Sequence, residues 1–168
     1  MNKQSNSNRH DGFATVDFLI VAVIILIVVS YAFTTLIHAQ RAHTREGAAQ
    51  QFSSYLERAR SDSMRRRATD VKQMGEVTIL NQQFYSVRID EDGDGALDIP
   101  RVVNLQEQQL TVDGPYPRSF RFDRAGKSVD NTGNPVQPTP IVFANRDGKS
   151  AVTIAENGSS SWENNIKK

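Results

Sequence analysis

Gly12-Phe13-Ala14-Thr15-Val16-Asp17-Phe18-Leu19-Ile20 opens a segment that stays apolar as far as Ile37. Asp17 is its only charge between Phe13 and Ile37, and Phe18 to Val29 is apolar without a break. Neither proline nor glycine interrupts it. At 1.5 Å per residue it makes a helix of about 37 Å, enough to cross a hydrocarbon core of about 30 Å with some tilt. Ahead of it lies a polar leader, residues 1–12, carrying Lys3, Arg9 and Asp11.

Two readings of this start compete. In one, it is a secretory signal peptide: a basic beginning, an apolar run, then Ser30-Tyr31-Ala32 as a small-x-small cleavage site leaving Phe33 as the new N-terminus. Against it, Asp17 falls inside the apolar region, where a carboxylate costs about 2.5–3.5 kcal/mol at mid-membrane. The helical pattern also runs on past the supposed cut. In the other reading the segment is kept, and Asp17 needs a cationic partner.

Residues Gly12 to Ile20 resemble the processing site of type IV prepilins, where a peptidase cuts after a glycine and the new N-terminus is methylated. The resemblance implies cleavage between Gly12 and Phe13, N-methylation of Phe13, and an assembly role for Asp17. The family usually places a glutamate at that position; aspartate is one methylene shorter. An acid one helical turn from a new cationic amine can pair with the amine of a neighbouring subunit, which removes the cost of a lone carboxylate in lipid.

Working outward, the apolar positions beyond Ile37 thin to a stripe: Ala42, Ala49, Phe52, Leu56, Ala59 and Ser63. Steps of three, four and seven mark one face of an amphipathic helix. Gly47 weakens it by up to about 1 kcal/mol. Arg65-Arg66-Arg67 suit the negative end of the helix dipole as a solvated terminus, so the helix is expected to end between Arg67 and Gly75. One element from Phe13 to Ala68 would be a rod of about 84 Å. The chain divides as leader 1–12, membrane or filament helix 13–37, amphipathic continuation 38–72 and a β-rich domain 73–168.

In that last part short β-type runs alternate with turn residues: 76–80, 84–89, 101–105, 110–112, 119–122, 140–144 and 151–155. About seven strands in ninety residues predict an antiparallel sandwich or a strongly bent sheet. The fold class is therefore α+β: a long N-terminal helix packed on an antiparallel β domain. This order extends the resemblance over the mature chain. It is similar to the H-type minor pseudopilins of type II secretion (the GspH/FimT family), carried by Phe120 to Gly126, Pro140 to Asn145 and Ala151 to Ile154.

Composition restricts the chemistry. Lys+Arg is 20 against Asp+Glu 19, so net charge gives no argument for an acidic partner. Cysteine is absent, which excludes disulfides, thiolate metal sites and a cysteine nucleophile. His10, His38 and His43 all lie in or beside the N-terminal segment, so the β domain lacks the commonest general base. Without a nucleophile–base pair or phosphate loop, catalysis is not expected. Ser159-Ser160-Ser161 reads as a polar tail, and Trp162, the single tryptophan, as packed on the β domain.

One constellation resembles a site, Asp90-Glu91-Asp92-Gly93-Asp94-Gly95-Ala96-Leu97-Asp98. Alternate oxygens followed by a glycine match the start of a calcium loop, with Asp90, Asp92, Asp94 and Asp98 as ligands and Gly95 at the turn. Arg101 stands where the closing acid belongs, and the flanks read as strands. The other reading is an acidic hairpin loop without metal. No other cofactor is expected.

The resemblance implies a structural minor pseudopilin of a bacterial inner membrane, single-pass, with its C-terminal domain in the periplasm. Its partners would be the prepilin peptidase and other pilin-like subunits met through Phe18–Ile37. The alternative is a minor pilin of a type IV pilus, for attachment or DNA uptake. DNA-binding FimT relatives carry Gly-Arg-x-Arg near the C-terminus; here Gly158-Ser159-Ser160-Ser161 lacks the arginines, leaving Lys167 and Lys168, and DNA is not an expected partner.

Overall fold

A computed structural model describes residues 11–164. The side chains of residues 11–15 lie outside the described set, as do residues 1–10 and 165–168; Lys167, Lys168 and all of the leader but its last two residues, which are helical, therefore fall outside it. One helix, α1 (Asp11–Arg66), is followed by nine strands: β1 (Glu76–Ile79), β2 (Phe84–Arg88), β3 (Arg101–Asn104), β4 (Thr111–Asp113), β5 (Arg118–Phe122), β6 (Ser128–Val129), β7 (Ile141–Asn145), β8 (Gly148–Ile154) and β9 (Ser160–Asn164). The α+β class is as expected. The chain forms two compact units, Met1–Gln40 and Arg41–Lys168.

In the second unit two antiparallel sheets share a core with the helix. The five-stranded sheet has the order β3-β2-β1-β5-β6 and the four-stranded one β4-β7-β8-β9. The predicted helical stripe supplies the third wall: Ala49, Phe52, Leu56, Ala59 and Ser63 are all fully buried, and only Ala42 at its start is half-buried. Phe52 packs edge-to-face on Tyr85 of β2, Phe120 of β5 and Phe143 of β7, at ring-centroid distances of 5.1, 6.4 and 5.4 Å. One side chain thus touches both sheets. The small residues on either side of it let the helix backbone come close to the strands.

α1 ends at Arg66, just before the expected window of Arg67 to Gly75 and six residues short of the predicted continuation 38–72. Arg67 takes a left-handed φ of 52°, its N–H bonds to Met64 O at 3.2 Å, and the Ala68 N–H bonds to Ser63 O at 3.0 Å. This is the paired-bond helix stop usually built on glycine. A non-glycine residue holds it because Ser63 and Ala68 are buried on either side.

Two strands were not anticipated. β6 has only two residues, too few for an alternation to show. β9 is formed by the residues read as a polar tail, Ser160 to Asn164. These pair in register with β8 from Ile154↔Ser160 to Ser150↔Asn164. Ser160 N–H donates to Glu57 Oε1 at 2.7 Å, and its hydroxyl lies 2.7 Å from Ser53 Oγ. Polar residues make this strand because its contacts to α1 are hydrogen bonds, so no apolar face was needed. Trp162, expected to pack on the β domain, sits in β9 with 40% of its surface exposed and outside the buried core. Gly158 at the preceding turn has φ +80°, and a Cβ there would lie 1.8 Å from Gly126 O; only glycine fits.

Candidate functional site

The first candidate is the apolar half of α1. Its large apolar side chains from Val16 to Leu36 are all exposed, from 45% at Val23 to 77% at Tyr31. Such a surface needs either lipid or other protein to cover it. Its serine and threonine hydroxyls from Ser30 to Thr35 are satisfied without water: Ser30 Oγ donates to Leu26 O at 2.7 Å, Thr34 Oγ1 and Thr35 Oγ1 to Tyr31 O at 2.8 and 3.0 Å. Turning hydroxyls back onto the same helix is how polar side chains are tolerated in hydrocarbon. Asp17 is the one charge there, and it is exposed. Gly12 and Phe13 lie in the first turns of α1. The helix is long and apolar enough to cross a membrane.

The second candidate is the loop between β2 and β3. Three of its four predicted ligands come together: carboxylate oxygens of Asp90, Asp92 and Asp98 lie within 4.8 Å of one another. Asp94 does not join them; its carboxylate accepts from Ala96 N–H at 2.7 Å. Asp98 accepts from Glu91 N–H at 2.7 Å and Asp92 from Asp94 N–H at 3.1 Å.

Asp90 differs from its neighbours. Its side chain is 1% exposed and accepts the amides of Gly93 at 2.6 Å and Gly95 at 3.1 Å. Arg65 Nη2 reaches its Oδ2 at 3.0 Å and its carbonyl at 3.1 Å, and Arg66 Nε lies 3.8 Å from Oδ2. Arg66 is forked on Asp62, with Nε at 3.0 Å from Oδ1 and Nη2 at 2.5 Å from Oδ2. Burial alone would push the Asp90 pKa up. The two glycine amides and the two guanidiniums together outweigh it, and the pKa is lowered.

The arginine run is thus no solvated helix end at Arg66, whose side chain is 10% exposed. Arg65 and Arg66 clasp the acidic loop to the end of α1. The signal was in the sequence: Asp62 with Arg65 and Arg66 at i+3 and i+4 is a helix ion-pair spacing. The long-range partner Asp90 was not readable, because nothing local links residue 66 to residue 90.

No nucleophile–base pair is assembled among the described residues. A recess of about 360 Å³ beside the helix end is lined by Ala68, Thr69, Met74, Asp123 and Arg124. Its acid is occupied, since Asp123 accepts the amides of Ala125 and Lys127 at 2.9 and 2.8 Å. Two hydroxyls, Tyr85 Oη and Ser128 Oγ, are buried with no hydrogen-bond partner among the described residues. Burial, reinforced by the nearby Tyr55, pushes the Tyr85 pKa well above the usual tyrosine range.

Comparison with protein-family models, with curated proteins and with solved structures returns no match to this chain.

Proposed function

We propose that this chain is a membrane-anchored structural subunit of the pilin type, cleaved between Gly12 and Phe13, N-methylated on Phe13, and assembled into the periplasmic pseudopilus of a type II secretion system. The observation that carries the reading is the apolar half of α1: a span of membrane length with its large apolar side chains exposed, the hydroxyls of Ser30, Thr34 and Thr35 turned back onto the helix and a single carboxylate near its start. A lone acid in lipid is stabilised only by a cation brought to it, and the methylated amine of a neighbouring subunit is the cation that processing at Phe13 would create.

The second unit fits a structural role. Its polar groups tie helix to sheet, and its acidic loop is a clasp on the end of α1. In this reading the loop holds no calcium, because the carboxylate that would anchor the ion is taken by two amides and two guanidiniums.

The test is the N-terminus of protein purified from membranes, read by intact mass and sequencing. N-methylated Phe13 is the expected result. A start at Phe33 would mean that a signal peptide had been removed, and the subunit reading would fall.

A further inference from the structure

A recess of about 70 Å³ in the second unit is lined by Arg41 of α1, Gln108 and Gln109 before β4, and Asn145 and Arg146 at the β7–β8 turn. That is room for a few waters or a small anion. Its lining is rich in donors. Arg146 has no hydrogen bond or ion pair among the described residues, and the side-chain amides of Gln108 and Gln109 have no partner there either. Gln109 is held at φ 55°, a left-handed conformation that residues with side chains rarely adopt. Asn145 Oδ1 is already saturated, accepting from Arg45 Nη1 at 3.2 Å, Asp147 N–H at 3.0 Å and Gly148 N–H at 3.1 Å.

Behind Asn145 stands a buried cation. Arg45 is 4% exposed, and its guanidinium meets only neutral oxygens: Ser150 Oγ at 3.0 Å, Asn145 Oδ1 at 3.2 Å and Asn164 Oδ1 at 3.3 Å. Two carboxylates are near. Asp147 Oδ2 lies 3.4 Å from Arg41 Nη1, and Glu46 accepts from Asn164 Nδ2. Asp147 thus partly neutralises Arg41, while Arg146 brings to the lining a cation with no ion pair among the described residues.

We propose that this recess binds a phosphate group, with Arg41 and Arg146 as charged contacts and Gln108 and Gln109 as neutral donors. Donors converge from three chain segments, which suits a tetrahedral anion with several oxygens, and guanidinium forks match phosphate geometry. The source is either a phospholipid headgroup or a free phosphate. The headgroup source rests on the membrane reading above: Arg41 follows Ile37 by four residues, about 6 Å of helix, which puts it at headgroup level, where phospholipids present a phosphate on either side. The phosphate site itself needs only the second unit.

The test uses the full chain in a neutral detergent, with backbone amides followed by NMR. Sodium phosphate is added against sodium chloride of matched ionic strength. The expected result is a saturable shift confined to residues 106–109 and 145–148. Arg146→Gln, an exposed turn position, should weaken it about tenfold, the loss of one charge-assisted contact, with partial recovery in Arg146→Lys. A second arm titrates short-chain phosphatidylglycerol. Tighter binding than inorganic phosphate identifies the headgroup as the source; a shift with inorganic phosphate alone identifies a free phosphate. No saturable shift with either probe, or one unchanged in Arg146→Gln, overturns the proposal. A mature N-terminus at Phe33 would remove the headgroup source and leave the phosphate arm standing.

Discussion

Replacing Phe52 by alanine tests the central packing claim, that the second half of α1 is a wall of the core. Phe52 is fully buried and makes three edge-to-face ring contacts reaching both sheets. Truncating a buried phenylalanine costs about 3–5 kcal/mol. Each ring pair is worth about 0.5–1.5 kcal/mol, and because the alanine cost already includes them, about 4 kcal/mol is the working figure. For a unit of about 130 residues the unfolding entropy is about 0.27 kcal/mol per kelvin, so Tm should fall by about 15 °C. Phe52→Leu keeps most of the volume and loses the ring geometry, about 1.5 kcal/mol or about 6 °C. The assay is near-UV circular dichroism of the full chain in detergent, heated at fixed rate. Near-UV signal follows Tyr55, Tyr85, Tyr116 and Trp162 of the second unit, and exposed Tyr31 of the apolar helix adds a background common to all variants. A fall under about 5 °C for the alanine variant, or equal falls for alanine and leucine, would refute the shared core.

Other outcomes are expected on the same protein. Tyr85→Phe removes a buried hydroxyl without a partner among the described residues and should raise stability by about 1 kcal/mol; a loss in chemical denaturation would show that the hydroxyl is bonded. The folded pKa of Asp90 is lowered, so its contribution is present above the unfolded carboxylate value of about 3.9 and is lost as pH falls through the folded value. Asp90→Asn should therefore be less stable than wild type at pH 7, with the gap closing in acid. A gap constant with pH counts against the clasp. Millimolar calcium should leave wild-type Tm unchanged. Asp17→Ala should still insert in the membrane yet give no filament-dependent crosslinks between subunits; crosslinking equal to wild type would remove the assembly role of Asp17.

Much of the helix was legible because helical periodicity is local. The stripe Ala42, Ala49, Phe52, Leu56, Ala59 and Ser63 announces a buried face wherever the helix ends up; all but the half-buried Ala42 are buried. Strands with apolar alternation, such as Phe84–Arg88 and Ile141–Asn145, were legible for the same reason. β9 was not. Its residues are Ser, Ser, Trp, Glu and Asn, and they become a strand only because β8 offers an open edge and Glu57 and Ser53 wait on the helix. The acidic loop was legible as a cluster, yet its role depends on Arg65 and Arg66, whose distance from Asp90 along the chain hides the pairing.

By itself the sequence determined the properties that depend on neighbours along the chain: an unbroken apolar helix of membrane length with one acid in it, its amphipathic continuation, and β segments divided by Gly, Pro, Asn and Asp turns. Only the tertiary structure decided which charges meet. It put Asp90 under two arginines, left Arg45 buried among neutral oxygens, and gathered Arg41, Gln109 and Arg146 around one recess. The physical reason is range. Helix periodicity and turn chemistry act over a few residues, whereas a buried ion pair is selected by desolvation and geometry between segments that only folding brings together.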